Sequence, residues 1–130
     1  MKIKLGKSEL IHFIGIGGIG MSGLALIMKD LGFKVQGSDI LNNKNIERIK
    51  NKNIKVYIGH KKQNIKKSTI LVISSAIKKN NPELLFAKKR KIPIYKRGDM
   101  LANVVSLMKN VVVAGSHGKT TTTSLISNIF

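Results

Sequence analysis

A glycine-rich turn near the N-terminus constrains the fold more than any other feature of this sequence. The pattern Gly15-x-Gly17-x-x-Gly20 follows a short apolar run at residues 11–14 and precedes a longer apolar-rich stretch. This context is typical of a buried strand that turns into a helix, and it predicts a phosphate-binding unit at the helix N-terminus. Gly15 would permit the turn, Gly17 would let backbone N–H groups approach a pyrophosphate, and Gly20 would let the helix pack against the strand. The alternative is a tight strand–helix turn that binds nothing.

The rest of the sequence alternates strand-like and helix-like patterns. Predicted strands cover residues 11–14, 34–37, 55–58, 69–73 and 92–95, and predicted helices cover residues 19–31, 42–53, 82–91 and 97–108. This alternation predicts an α/β fold, namely a Rossmann-like open parallel sheet with helices on both faces. Asp39 lies nineteen residues beyond Gly20, at the end of the second predicted strand. An acid at that position is expected to bind a ribose hydroxyl.

Composition narrows the class of protein. With 130 residues, 42% of them hydrophobic, the chain is long enough for one domain with a core and too short for two complete ones. No apolar run is long enough to cross a bilayer, no export signal follows the basic N-terminus, and cysteine is absent. These observations predict a cytoplasmic protein that does not act at a membrane, and they leave the oligomeric state open.

The formal net charge of +18 suggests an anionic partner, but the distribution of this charge argues against nucleic acid. Lysines occur in nearly every segment, and aromatic residues make up only 5% of the chain. A surface that stacks bases would interleave aromatic side chains with the charge. We therefore expect most lysines to be solvated and expect no nucleic-acid partner, with a basic nucleic-acid-binding module as an alternative.

A second candidate phosphate loop lies near the C-terminus. The apolar run at residues 111–114 is expected to form a strand, and it leads into Gly115-Ser116-His117-Gly118-Lys119-Thr120-Thr121. A strand, a glycine turn, Gly-Lys-Thr and a helix are the parts with which nucleoside triphosphatases hold ATP. Lys119 would reach the β- and γ-phosphates, and the Thr120 hydroxyl would ligate Mg2+. Only two residues separate Gly115 from Gly118, whereas about four are usual, so a glycine turn before a threonine-rich helix is the alternative.

Two phosphate loops in so short a chain suggest two domains. A strand and half a helix cannot bury a core alone, so residues after 110 need further sequence to fold as a domain. We therefore predict a Rossmann-like substrate-binding domain at residues 1–109. Residues 110–130 would then supply the first strand and the P-loop of a second α/β ATPase domain, within which the chain stops.

Four segments, in their order along the chain, resemble the Mur ligase family. They are the glycine-rich segment at residues 11–25, Gly37-Ser38-Asp39, Ser74-Ser75-Ala76-Ile77 and the loop at residues 115–123. The resemblance implies that the first domain binds the UDP part of a substrate rather than a dinucleotide, and that the second binds ATP and Mg2+. It also implies a reaction of peptidoglycan precursor synthesis, in which the carboxylate of UDP-N-acetylmuramate attacks ATP to give an acyl phosphate. The amine of L-alanine would then displace phosphate.

The resemblance also implies roles for individual residues. The residues matching the UDP-substrate site are Gly15, Gly17, Gly18 and Gly20 in the phosphate loop, Ser38 and Asp39 near the uridine, and Ser74 and Ser75 beside the phosphate or sugar. His60 and Arg97 are further candidates for contacts with uridine and phosphate, and exposed side chains without a ligand are the alternative for both. The residues matching the ATP site are Gly115, Ser116, His117, Gly118, Lys119, Thr120 and Thr121. Among these, Lys119 and Thr120 would be the catalytic contacts.

Two further interpretations remain open. A fragment of an NAD-dependent oxidoreductase accounts for the first glycine loop and Asp39, but leaves Gly118-Lys119-Thr120 unexplained. Murein peptide ligases share the ATP loop with the other Mur ligases, although their first glycine loop usually reads differently. The remaining magnesium ligands, the adenine pocket and the alanine site are not found in these residues. The chain alone is therefore expected to bind a UDP-linked ligand without ligase turnover.

Overall fold

The computed structural model describes residues 5–114, and the side chains of residues 5–109. In chain order, the elements are β1 (Leu10–Ile14), α1 (Ile19–Asp30), β2 (Lys34–Asp39), α2 (Lys44–Asn51), β3 (Lys55–Ile58), a 3₁₀ turn (Lys62–Ile65), β4 (Ile70–Ile73), α3 (Pro82–Lys89), β5 (Ile94–Lys96) and α4 (Arg97–Ala114). Within this part of the chain, no helix combines the length and the apolar character that crossing a membrane requires.

The five strands form one parallel sheet in the order β3-β2-β1-β4-β5, which confirms the predicted α/β fold. β1 lies at the centre, since it pairs with β2 on one side and with β4 on the other. Between β3 and β4 the chain passes from one side of β1 to the other. The carboxyl ends of β1 and β4 therefore flank the switch point at which open α/β sheets bind their ligands.

Helices cover both faces of the sheet, as predicted. Successive side chains of β1 point to opposite faces, because a strand has a period of two. Ile11 and Phe13 belong to the larger core, which α1 and α4 cover, whereas Ile14 belongs to the smaller core beneath α3. His12 shares the face of Ile14 and is fully buried. The second face therefore has a polar group at the centre of the sheet.

The C-terminal end of α4 contradicts one prediction. Residues 111–114 are predicted as a strand, but they continue α4, which runs from Arg97 to Ala114. A strand satisfies its backbone groups only beside another strand, and within residues 5–114 no strand lies next to this segment. Continuing the helix satisfies these groups and costs roughly 0.5 kcal/mol for each valine relative to alanine. Apart from this longer C-terminal end of α4, the predicted helices and strands are confirmed, with their ends shifted by at most two residues.

Two glycines let the central strands and the first turn approach each other closely. Gly15 has a φ of +84°, so the predicted sharp turn after β1 is confirmed. Gly37 lies in β2, where a Cβ would be 2.5 Å from Ile16 Cδ1 and 2.8 Å from the carbonyl oxygen of Phe13. Ile16 follows the turn and is fully buried. The absence of a side chain at Gly37 therefore lets the start of the glycine loop fold back onto β2.

We predict that Gly37→Ala lowers the free energy of unfolding by about 3 kcal/mol, since the added methyl group overlaps a backbone oxygen that cannot move away. Gly23→Ala in α1 is the matched control, because a Cβ there meets no atom within 4 Å. This control should raise the free energy of unfolding by roughly 0.5–1 kcal/mol, since glycine is a poor helix former. Urea unfolding of both variants measures the difference, and equal stabilities would contradict the packing described here.

Candidate ligand site at the carboxyl edge of the sheet

The N-terminus of α1 offers backbone donors to an anion. Gly18 caps the helix without a side-chain hydrogen bond, and the first turn contains no acidic residue. Within the described residues, the N–H groups of Ile19, Gly20 and Met21 have no hydrogen-bond acceptor. Ser22 N–H makes the first helical bond, to Gly18 O at 2.8 Å. Free N–H groups and the positive end of the helix dipole together favour a phosphate at this point.

Arg97 adds a cation to the same end of α1. A Cβ at Gly20 would lie 3.0 Å from Arg97 Cδ and 3.2 Å from its Cζ, so the guanidinium lies against the first turn. The glycine pattern predicts that Gly20 lets the helix pack closely against the strand. In the structure, the absence of a side chain at Gly20 makes room for Arg97. No carboxylate among the described side chains forms an ion pair with Arg97. A cation beside the positive end of a helix is unfavourable alone, and an anionic ligand would remove that repulsion.

Asp39 holds the glycine loop to the end of β2. Its Oδ2 accepts a hydrogen bond from Gly17 N–H at 2.7 Å, and its Oδ1 accepts one from Ile40 N–H at 2.8 Å. A Cβ at Gly17 would lie only 2.7 Å from the same Oδ2. The glycine pattern predicts that the backbone at Gly17 approaches a pyrophosphate, but in the structure the Gly17 N–H donates a hydrogen bond to Asp39. The donors that remain for a phosphate belong to the next turn, at the start of α1.

The two serines after β4 lie at the same edge of the sheet. Ser74 is half-buried beside the turn, since a Cβ at Gly15 would be 3.7 Å from Ser74 Oγ. Ser75 is exposed. The structure thus brings Ser74, the glycine loop and Arg97 to one edge, as the parallel sheet requires. The ATP loop at residues 115–121 lies outside the described residues, so its assignments stay predictions.

A buried carboxylate lies beneath this edge, on the face covered by α3. Glu83, in the first turn of α3, has no exposed surface. Its Oε1 accepts hydrogen bonds from His12 Nε2 at 2.7 Å and Ser38 Oγ at 2.6 Å. Its Oε2 accepts from Asn64 Nδ2 at 2.7 Å and from Lys61 N–H at 3.1 Å. Every hydrogen bond of the carboxylate is therefore with a donor, of which β1 and β2 contribute one each and the segment after β3 contributes two.

These donors keep Glu83 ionised. Burial by itself raises the pKa of the Glu83 carboxyl, the hydrogen bonds from His12, Ser38 and Asn64 lower it, and the pKa lies below its usual value of 4.5. The positive end of α3 favours the same charged form, since Glu83 lies in its first turn.

His12 reaches Glu83 as a neutral ring. Gln36 Nε2 lies 2.7 Å from the carbonyl oxygen of Asn64, so this atom is a donor. The same Nε2 lies 2.8 Å from His12 Nδ1, which must therefore accept, and His12 Nε2 carries the proton given to Glu83. The contact between His12 and Glu83 is then a hydrogen bond between a neutral donor and a charged acceptor. Within the described residues, no group of His, Cys, Asp or Glu side chains is arranged to hold a metal ion.

The predicted candidate His60 belongs to this buried cluster. Its Nδ1 lies 2.9 Å from Ser38 Oγ, and its side chain is 12% exposed to solvent. The sequence predicts Ser38 and His60 as site residues, but it does not predict a role for Glu83 or His12. A signal was available, because His12, Gln36 and Ser38 are polar residues in strands that must be buried in the centre of a sheet. Such residues need buried partners.

Comparison with known proteins supports one family. A family model described as Mur ligase family, catalytic domain, matches residues 10–109. The chain is 72% identical over 130 residues to a UDP-N-acetylmuramate--L-alanine ligase of Pelagibacter ubique. The aligned residues cover 100% of this chain and 28% of that protein. A protein of the same name from Rickettsia typhi is 58% identical over 120 residues, which cover 92% of this chain and 24% of the relative. The chain thus spans a minor part of the length of these relatives.

Solved structures agree with this result. The crystal structure of UDP-N-acetylmuramate-alanine ligase MurC from Thermotoga maritima matches with a TM-score of 0.73 and 30% identity, over 76% of this chain and 23% of that one. The UDP-N-acetylmuramate:L-alanyl-gamma-D-glutamyl-meso-diaminopimelate ligase of Neisseria meningitides matches with a TM-score of 0.69 and 28% identity, over 75% of this chain and 32% of that one.

We predict that Glu83→Gln lowers the free energy of unfolding by about 2 kcal/mol at pH 7, because a buried charge-assisted network loses an acceptor. The folded-state pKa of Glu83 lies below 4.5, so the stabilisation by its carboxylate is present above the unfolded-state pKa. It is lost as the pH falls through the folded-state pKa. The difference between wild type and variant should therefore shrink below pH 4.5.

Urea unfolding between pH 7 and about pH 3 measures this difference. Glu47→Gln is the matched control, because Glu47 is exposed and its Oε1 accepts from Asn42 at the surface. Its effect should stay within about 0.5 kcal/mol at every pH. A difference for Glu83→Gln that grows on acidification would contradict the assigned charge.

Proposed function

This chain belongs to the Mur ligase family, and we propose that it is the substrate-binding part of an ATP-dependent ligase that joins L-alanine to UDP-N-acetylmuramate. The relatives named as UDP-N-acetylmuramate--L-alanine ligases support this choice of substrate, with identities of 72% and 58%. The two solved ligase structures, at 30% and 28% identity, are about equally similar to this chain, so the choice of substrate rests on the named relatives. The ligation itself is proposed for a protein of the length of those relatives.

One observation carries the assignment of a UDP site. Among the residues that the structure describes, Arg97 forms no ion pair, and the N–H groups of Ile19, Gly20 and Met21 have no acceptor. The guanidinium and these N–H groups meet at the first turn of α1. This arrangement provides directional donors and a delocalised cation for a group with several negative oxygens, which is the chemistry of a diphosphate. The glycine loop keeps side chains away from that space. The diphosphate of a UDP-linked substrate is therefore proposed to bind there.

The uridine is proposed to lie over the ends of β2 and β3. Asp39 has both carboxylate oxygens bound to backbone N–H groups, but each oxygen retains a second lone pair that a ribose hydroxyl can use. His60 lies at the same edge, and Ser38, which is fully buried beneath it, holds His60 through a hydrogen bond. Ser74, at the end of β4, flanks the glycine turn from the other side and is proposed to contact a phosphate or the sugar.

The chemical step is proposed on the sequence alone. Lys119 and Thr120 lie outside the described residues, and the proposal for them rests on the resemblance of their loop to an ATP-binding P-loop. In the longer protein, ATP and Mg2+ would supply an activated phosphoryl group. The muramate carboxylate would form a bond to the γ-phosphorus as ADP leaves, and the alanine amine would then replace phosphate at the acyl carbon. Positioning and charge neutralisation are the main demands of the first transfer.

We predict that the chain binds UDP in a calorimetric titration, and that Arg97→Ala weakens this binding by about tenfold, the value of one charge-assisted contact. NAD should bind much more weakly than UDP, and a short DNA duplex should show only weak binding with a steep dependence on salt. Tight NAD binding would favour an oxidoreductase, and the absence of any UDP binding would refute the proposed site.

Arg90→Ala is the matched control for charge. Arg90 lies at the C-terminal end of α3, where its guanidinium is 5.2 Å from the Phe86 ring centroid. The variant removes the same charge as Arg97→Ala from a different end of the sheet. It should leave UDP affinity unchanged, because exposed charges more than roughly 10 Å from the ligand are screened at physiological salt. Equal losses in the two variants would mean that the net charge, not the site, attracts the nucleotide.

A further inference from the structure

The carboxylate of Glu83 determines the direction of the hydrogen bonds beneath the site. An ionised carboxylate can only accept, so each group in contact with it has to donate. Ser38 Oγ lies 2.6 Å from Glu83 Oε1. The single proton of the serine hydroxyl is therefore committed to Glu83. Any other hydrogen bond that Ser38 Oγ makes must be one that it accepts.

This constraint extends to His60. His60 Nδ1 lies 2.9 Å from Ser38 Oγ, so Nδ1 carries a proton and donates it to the serine. In the neutral ring, Nε2 then has a free lone pair. Within the described residues, Nε2 makes no hydrogen bond and is not among the buried unpaired atoms, so it reaches the surface. The chain from Glu83 through Ser38 thus leaves His60 with an acceptor that is accessible from the surface.

The location of His60 gives this acceptor a use. The residue follows β3 and contacts Ser38 near the end of β2, so it belongs to the carboxyl edge where the nucleoside is proposed to bind. A uracil ring presents one N–H donor, N3–H, between two carbonyl oxygens. A cytosine ring presents a lone pair at N3 instead. An acceptor at Nε2 therefore pairs with uracil and opposes cytosine.

We infer that Glu83 is a positioning residue that fixes the tautomer of His60, so that His60 Nε2 accepts the N3–H of a uracil base and excludes cytosine. This inference rests on the proposed function, since it names how the same site recognises its nucleoside. Glu83 itself does not touch the ligand. It acts through Ser38, and the energy that holds the arrangement comes from the buried hydrogen bonds to the carboxylate.

Replacing Glu83 by glutamine should reverse this chain. The backbone N–H of Lys61 is an obligatory donor to Oε2, so the oxygen of the new amide is needed at that position. The amide nitrogen then takes the place of Oε1 and donates to Ser38 Oγ, and it opposes the His12 Nε2 proton at the same position, which contributes to the loss of stability expected for this variant. The serine proton turns to His60 Nδ1, and His60 Nε2 becomes the protonated atom. The acceptor that reads N3–H is thereby lost.

The first measurement needs no ligand. Long-range 1H–15N correlation NMR of the imidazole nitrogens, recorded on the full chain, distinguishes a protonated Nδ1 from a protonated Nε2. We expect the wild-type ring of His60 to be protonated at Nδ1 and the ring in Glu83→Gln to be protonated at Nε2. A wild-type ring protonated at Nε2 would overturn the inference, whether or not UDP binds.

The second measurement is the ratio of the affinities for UDP and CDP by calorimetry. We expect wild type to prefer UDP by about tenfold, the value of one hydrogen bond against an unpaired acceptor. Glu83→Gln and His60→Ala should each bring the ratio close to one. In the His60→Ala background, Glu83→Gln should have no further effect on the ratio, as a double-mutant cycle requires for residues acting through each other.

Ser68→Ala is the matched control for loss of a buried hydrogen bond. Ser68 Oγ lies 3.2 Å from Gln36 Nε2, at the far end of the same cluster, and among the described residues it makes no hydrogen bond to Ser38 or His60. This variant should keep the UDP preference and the His60 tautomer. If UDP binds and Glu83→Gln retains the preference, the inference is wrong while the proposed function stands. If UDP does not bind at all, the proposed function fails, and the nucleobase contact fails with it.

Discussion

The hydrogen-bonded carboxylate of Glu83 is the interaction on which the carboxyl edge of the sheet, the candidate ligand site, depends. A buried charge is stable only when donors surround it, and these donors come from β1, β2 and the segment between β3 and β4. Each donor is thereby fixed in place. The ends of strands that are far apart in sequence are tied to one point, so the edge is held by a single set of hydrogen bonds rather than by loop packing alone.

The end of β2 links this buried cluster to the phosphate loop. Ser38 and Asp39 are successive residues, so their side chains point to opposite faces of the sheet. Ser38 contacts Glu83 beneath α3, whereas Asp39 binds Gly17 N–H in the loop before α1. The backbone of Ser38 also accepts from Gly15 and Ile16 N–H at 2.9 and 3.1 Å. One short segment therefore positions both the phosphate-binding turn and the residues proposed to contact the nucleoside.

The sequence predicted the sheet and the glycine turn because both depend on local patterns. Apolar runs, helix caps and a glycine at positive φ are set by neighbours in the chain. The buried cluster could not be derived in this way, since Glu83 lies forty-five residues from Ser38 and reads as an ordinary acid at a helix start. The packing of Arg97 against Gly20 could not be predicted either, because these two residues are distant in sequence. The strand predicted at residues 111–114 is wrong because a strand needs a neighbouring strand to pair with, and a run of valines does not provide one.

Local geometry, and not the total charge, distinguishes the candidate anion site from the rest of the surface. Exposed lysines spread over the surface produce a positive potential, but at physiological salt each acts only over roughly 10 Å. They raise the rate at which any anion arrives without selecting one. Arg97 differs because it lies against a helix end with unsatisfied N–H groups, which adds direction to charge. A ligand with several oxygens satisfies both features at once. The net charge of +18 is therefore compatible with a specific nucleotide site and does not require a nucleic-acid partner.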